Sequence, residues 1–128
     1  MIMKSKTEKI ISKLALQVMY VNQPIHLLAV CSGGTTVAQN MHRFLNAKGI
    51  RSSVFEVWIN VVNGKRTLWK TTFKKSDYTG TAIIVEDVIW GGNSIPPIKK
   101  MLHDMKRKRV YVASLLDCNN KADFSVFN

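Results

Sequence analysis

Residues 83–94 read IIVEDVIWGGNS. The apolar run that feeds them starts at Thr81 and stops at Glu86 and Asp87, which is the pattern of a strand buried on both faces. Val88, Ile89 and Trp90 then lead to Gly91, Gly92, Asn93 and Ser94, and a helix follows with Ile98, Met101, Leu102 and Met105 along one side. Asn93 or Ser94 caps it, and Pro96 and Pro97 fall in the first turn, where a missing N–H costs little. Strand, glycine turn and helix in that order belong to an open parallel sheet, whose ligands bind beyond the carboxyl ends of the strands. Glycines let a backbone approach an anion, and the N–H groups of such a turn stabilise a phosphate together with the positive helix end. Ser94 adds a hydroxyl, and the two carboxylates can accept hydrogen bonds from the vicinal hydroxyls of a sugar. Phosphate on one side and a diol on the other describe ribose 5-phosphate. The same residues also describe an acidic strand end in solvent, because short glycine motifs have low specificity.

Working outward, residues 25–31 (IHLLAVC) form another nearly continuous apolar run and predict the first core strand. Ile10, Ile11, Leu14, Val18 and Met19 mark an amphipathic helix over 7–20 before it. After it, Ser32, Gly33, Gly34, Thr35 and Thr36 read as a small-residue turn. A helix with Val37, Met41, Phe44 and Leu45 on its buried side follows and stops at Gly49. Residues 53–59 (SVFEVWI) predict a strand, and Asn63–Gly64 between Val61, Val62 and 67–69 predicts a hairpin. Residues 70–80 read as a polar, basic, flexible loop, and 109–116 (RVYVASLL) as the last strand, ending in a turn at 117–120. The whole chain, 1–128, is expected to be a single α/β domain, with a parallel sheet flanked by helices and a flexible hairpin loop over 61–75.

Composition limits the function classes. With 128 residues and 46% apolar residues, the chain supports one core. No run of about 18 apolar residues is present, and the basic start MIMKSKTEK leads into the amphipathic stretch, so no membrane association and a cytoplasmic location are expected. The two cysteines, Cys31 and Cys118, fit no metal-ligand spacing and read as reduced residues at the ends of buried strands. His26, His42 and His103 stand far apart and read as ordinary surface or strand-end residues. The net charge of +11 favours a polyanionic partner, either a phosphorylated metabolite or nucleic acid. Lys99, Lys100, Lys106, Arg107, Lys108 and Arg109 form the densest cluster, and Lys65, Arg66, Lys70, Lys74 and Lys75 a second. Trp58 and Trp69 flank the predicted hairpin, where they serve either core packing or stacking on single-stranded nucleic acid.

On these motifs the chain resembles the type I phosphoribosyltransferases, nearest to the hypoxanthine-guanine (purine salvage) branch. IIVEDVIWGGNS is similar to the family signature: an apolar run, two acidic residues, two further apolar residues, then a phosphate loop ending in Ser or Thr. The resemblance implies that Glu86 and Asp87 are the catalytic pair on the ribose hydroxyls, and that Gly91, Gly92, Asn93 and Ser94 bind the 5-phosphate. HLLAVCSGGTTVAQNM is similar to the family's pyrophosphate-binding turn, which implies that Cys31, Ser32, Gly33 and Gly34 hold pyrophosphate oxygens through backbone N–H groups. TEKIISKLALQVMY, DYTGTAIIVED and VYVASLLD match the leading helix, the approach to the signature and the last core strand. With modest gaps the likeness covers nearly the whole chain.

The resemblance implies transfer of phosphoribosyl from phosphoribosyl pyrophosphate to a nitrogenous base of unassigned identity, with release of pyrophosphate. It also implies magnesium carried on the substrate with no direct protein ligand, a homo-oligomer, and a loop at 61–75 that closes over the reacting centre. Three positions depart from the family, one of them Asp117 or Cys118, which stands where the family has a base-contacting lysine. Trp90 stands where the purine branch has an acidic base, and indole cannot exchange a proton there. Gly91 stands where threonine is usual. Trp90 and Asp117 are the base-proximal positions by match, and the family's base-stacking hood lies beyond Asn128, so a hoodless form is expected. These departures leave a second expectation open, a non-catalytic nucleotide sensor or nucleic-acid-binding protein on the same fold.

Overall fold

The computed structural model describes residues 5–31, 33–74, 79–105 and 109–128. Its centre is β1 (Ile25–Val30), buried at every position because sheet neighbours flank it and helices cover both faces. β2 (Ser52–Val62) pairs with β1 on one side, and β4 (Thr81–Ile89) on the other, both parallel to it. β3 (Lys65–Thr71) adds antiparallel to β2 at one edge, while β5 (Val110–Asp117) and β6 (Phe124–Phe127) continue the parallel sheet at the other. The resulting order is β3-β2-β1-β4-β5-β6. The chain leaves β1 in one direction and returns to its other side through β4, so the switch point lies at the carboxyl ends of β1 and β4.

Among the described residues, three helices cover the sheet. In α1 (Lys6–Val18) the Ser5 hydroxyl accepts from the Glu8 N–H at 3.1 Å, and Ile11, Leu14, Ala15 and Val18 make the buried stripe. α2 (Gly33–Ala47) buries Val37, Ala38, Met41 and Leu45 and ends at Gly49, whose φ of +76° suits a glycine stop. Both pack on the odd-numbered side of the central strands, against Ile25, Leu27, Ala29, Ile83 and Val85. α3 (Ile95–Asp104) covers the even-numbered side through Ile98 and Leu102, against Leu28, Val30, Ala82, Ile84 and Val112. No described helix is long and apolar enough to cross a membrane.

The expected α/β architecture is therefore present, with four differences in detail. α2 begins at Gly33, so Gly33, Gly34, Thr35 and Thr36 are helical and do not form a turn. β4 continues two residues past Glu86 and Asp87, because Val88 and Ile89 pair with Leu116 and Asp117. The stretch read as a flexible loop carries regular structure over most of its length. Asn63 and Gly64, at φ of 51° and 75°, make the tight turn, and the ladder from Val62–Lys65 to Val57–Thr71 follows it. Phe73 is buried beside Phe55 and His26, while Lys75 lies outside the described residues, as do Lys106, Arg107 and Lys108. Lastly, β6 was not expected. It is only four residues long, and the Asp123 backbone and carboxylate, bonded to Val112 O and N at 2.8 Å, set it beside β5.

Candidate functional site

The continuation of β4 decides how the acidic pair is displayed. Successive strand residues point to opposite faces, so Glu86 and Asp87 separate. Glu86, with Val88 and Trp90, faces the α3 side and lines a cavity of about 120 Å³ closed by Gly91, Gly92, Asn93, Ser94 and Arg66. Asp87 turns to the α2 side, where a Cβ on Gly33 would lie 2.5 Å from its Oδ1. The resemblance implies that both carboxylates hold the ribose hydroxyls; the structure sets the Glu86 carboxylate on the α3 side of the carboxyl edge and that of Asp87 beside Gly33, near enough for its charge to act on Glu86.

The loop 91–94 is held by the chain segment after β5. Cys118 N–H donates to Ile89 O at 2.9 Å, and the Asn119 amide donates to Trp90 O. Gly92 has a φ of +72°, and a Cβ there would lie 3.1 Å from Lys121 Cγ. Ser94 precedes α3 but makes no side-chain cap bond. Its hydroxyl instead meets Arg66 Nη1 at 3.5 Å, a long hydrogen bond reaching across from the hairpin. Trp90 is 69% exposed at the cavity rim.

Asp117, expected near a base, is 4% exposed, and its carboxylate accepts from the N–H groups of Asn119, Lys121 and Ala122. Burial works against its charge, but those three donors and the Lys121 ammonium outweigh it and hold the carboxyl below its ordinary pKa. Its observed work is to shape the turn that supports Trp90 and Gly92.

On the α2 side, the expected pyrophosphate residues fare unequally. Cys31 N–H is committed to Val57 O at 2.9 Å, extending the β1–β2 ladder. Burial raises the pKa of its thiol, which lies 3.5 Å from Thr35 Oγ1 and 3.6 Å from Glu56 Oε2. Ser32 lies outside the described residues. Gly33 and Gly34 remain as first-turn residues of α2, where N–H groups lack intrahelical acceptors. Gly34 is buried against β4, with the position of a Cβ 2.3 Å from Val85 O. Cys118 is exposed just past β5, and among the described residues no three His, Cys, Asp or Glu side chains are placed to hold a metal ion.

Arg66 is the site residue that motif reading missed as an individual. Its signal is the strand period. Leu68 packs into the α3-side core, so Arg66, two residues earlier, projects from the same face toward Ser94.

Glu86 is strongly perturbed. Burial raises it from 4.5 to about 7, the Asp87 charge adds to the rise, and Arg66 opposes it. A carboxyl raised on folding contributes stability that is complete below pH 4.5 and is lost as pH rises through about 7. Relative to Glu86→Gln, the protein is therefore expected to lose melting temperature steadily between pH 4.5 and pH 8. A Tm gap between the two proteins that stays constant over that range contradicts the placement of Glu86.

No protein-family profile and no curated protein sequence matches the chain. Solved structures do. The chain is similar to a purine phosphoribosyltransferase from Pyrococcus horikoshii Ot3 at a TM-score of 0.78 and 17% identity, covering 98% of this chain and 84% of that one. A hypoxanthine-guanine phosphoribosyltransferase from Bacillus anthracis aligns at a TM-score of 0.76 and 23% identity, over 94% and 75%. The hypoxanthine phosphoribosyltransferase from Trypanosoma cruzi, solved with its product IMP, aligns at 0.73 and 17%, over 93% and 73%. At these TM-scores over nearly all of its length, the chain has the phosphoribosyltransferase fold.

Proposed function

We propose that the protein binds phosphoribosyl pyrophosphate or a nucleoside 5-monophosphate and transfers phosphoribosyl to a nitrogenous base, releasing pyrophosphate. The observation that carries this reading is the cavity between Glu86 and the 91–94 loop, which is lined by a carboxylate on one side and by the glycine loop, Ser94 and Arg66 on the other. That polarity matches a sugar diol joined to a phosphate. The same family of neighbours includes a protein solved with IMP, which has that arrangement of groups.

In this reading, Gly92, Asn93 and Ser94 take the 5-phosphate through N–H groups, and Arg66 supplies a full charge from the hairpin. Glu86 accepts a ribose hydroxyl. Asp87, against Gly33, fixes the sugar from the α2 side, where the first-turn N–H groups of Gly33 and Gly34 face the pyrophosphate. Magnesium carried on the diphosphate, with no ligand from this chain, would supply neutralisation of charge on the leaving group. The reaction is a displacement at the anomeric carbon, through a cationic sugar that needs orientation and charge stabilisation and no covalent nucleophile. Trp90 offers an aromatic face to the base.

The test is turnover. The protein is incubated with phosphoribosyl pyrophosphate, magnesium and a panel of purines, pyrimidines and orotate, and pyrophosphate release is followed. Release with at least one base is expected. Binding of a nucleoside monophosphate without release from any base assigns the chain to the non-catalytic sensor instead, the reading that Trp90 in place of an acidic base favours.

A further inference from the structure

The 91–93 loop is a wall with a second side. Behind it lies a groove of about 640 Å³ between the start of α3 and the turn after β5, floored by Ile95 and Pro96 and edged by Lys99, Lys100, His103 and Lys121. No carboxylate lines it among the described residues. The groove does not stop at the loop. It shares Asn93 and Pro96 with a further depression of about 440 Å³ that runs to the hairpin tip at Gly64, Lys65 and Arg66. The two make one track, cationic at both ends, passing over proline rings that present no N–H. Trp90, 69% exposed, follows β4 at the rim of the Glu86 cavity, across the loop from the groove, and Trp69, 63% exposed, stands on the hairpin with Lys70 Nζ 5.0 Å from its ring.

We propose that this track binds the sugar-phosphate backbone of single-stranded nucleic acid, with Trp90 as a stacking platform for a base. One phosphate does not need a channel of this length, and cations spaced along an apolar floor suit a repeating anion. Exposed indoles favour unpaired bases, since a duplex hides their faces. The net charge of +11 supplies the attraction. The track shares Arg66 and the 91–93 loop with the Glu86 cavity, on whose rim Trp90 stands, but it uses neither Glu86 nor Asp87 and so does not depend on the transferase reading.

The test is fluorescence anisotropy with labelled single-stranded RNA and DNA of about 12 nucleotides, a length within the usual footprint of such sites, titrated at several salt concentrations. Combined Lys99→Gln, Lys100→Gln and Lys121→Gln substitutions keep the aliphatic stems, including the Lys121 stem packed on Gly92. They are expected to weaken binding at least tenfold and to lower the salt slope by about two, near 0.7 per lost phosphate contact. Trp90→Ala is expected to weaken binding without changing that slope, whereas Asp87→Ala, which removes a ribose contact of the other site, leaves strand binding intact. Absence of binding by folded protein at low salt overturns the proposal, as does unchanged affinity in the triple variant. Equal affinity for polyglutamate or for phosphatidylserine vesicles also overturns it, since the surface then reads charge alone.

Discussion

Gly34→Ala is expected to destabilise the protein by about 1–3 kcal/mol, the usual cost of overpacking, a large share of the roughly 5–15 kcal/mol that holds a domain. Alanine is the better helix former by about 1 kcal/mol, so propensity alone predicts the opposite sign. Sterics decide: the new Cβ would lie 2.3 Å from Val85 O and 3.2 Å from Val85 C, in backbone at the centre of the sheet that cannot swing aside. Either α2 lifts from β4 or β4 bends. The neighbouring change gives the contrast. At Gly33 the obstruction is the tip of the Asp87 side chain, 2.5–2.6 Å away, which can rotate. Gly33→Ala is therefore expected to leave Tm unchanged or slightly raised while displacing the Asp87 carboxylate. Thermal melts of the two variants check this, at a few degrees per kcal/mol for a chain of this size. Equal losses at both positions contradict the described packing of α2 on β4.

Ser94→Asp is expected to move binding and stability in opposite directions. A carboxylate at the helix start is favourable to the α3 dipole, by about 0.3–1 kcal/mol, and it meets Arg66, whose Nη1 already lies 3.5 Å from the Ser94 hydroxyl. Stability is thus expected to hold or rise. The same carboxylate occupies the arginine and sets a negative charge where a phosphate would sit in a cavity of about 120 Å³. Ribose 5-phosphate affinity is expected to fall about a hundredfold or more, the scale of a like-charge placement worth several kcal/mol. Calorimetric titration paired with a thermal melt reads both quantities. Unchanged affinity in a folded Ser94→Asp protein removes the 91–94 loop from the phosphate site.

The parts of this fold that were legible in the sequence are those whose signals are local. The IHLLAVC run could only be a central strand, and β1 is buried throughout. Asn63–Gly64 specified its turn by the positive φ that these two residues tolerate. The stripe on α3 and its prolines marked a helix at the right place. What stayed hidden depends on partners distant in sequence. Two carboxylates resemble a strand terminus, yet β4 runs on because β5 offers Leu116 and Asp117 to Val88 and Ile89. Within the continued strand Glu86 and Asp87 point to opposite faces, which no motif displays. Gly33 and Gly34 read as a turn because glycine is a poor helix former, but tertiary packing overrides propensity where a helix must touch a strand end. The short β6 rests on side-chain bonds made by Asp117, at the end of β5, and by Asp123, in the connection between the two strands. Arg66 looked like one cation in a basic cluster until the hairpin register aimed it at Ser94.

The ribose-phosphate cavity is the centre of the account, and the most direct measurement is a crystal structure of the protein soaked with phosphoribosyl pyrophosphate or a nucleoside 5-monophosphate. The predicted result is the 5-phosphate within hydrogen-bond distance of the Gly92, Asn93 and Ser94 N–H groups, with Arg66 on its outer side, and a ribose hydroxyl on Glu86. A phosphate bound instead along Lys99, Lys100 and Lys121, with the Glu86 cavity left to solvent, contradicts it.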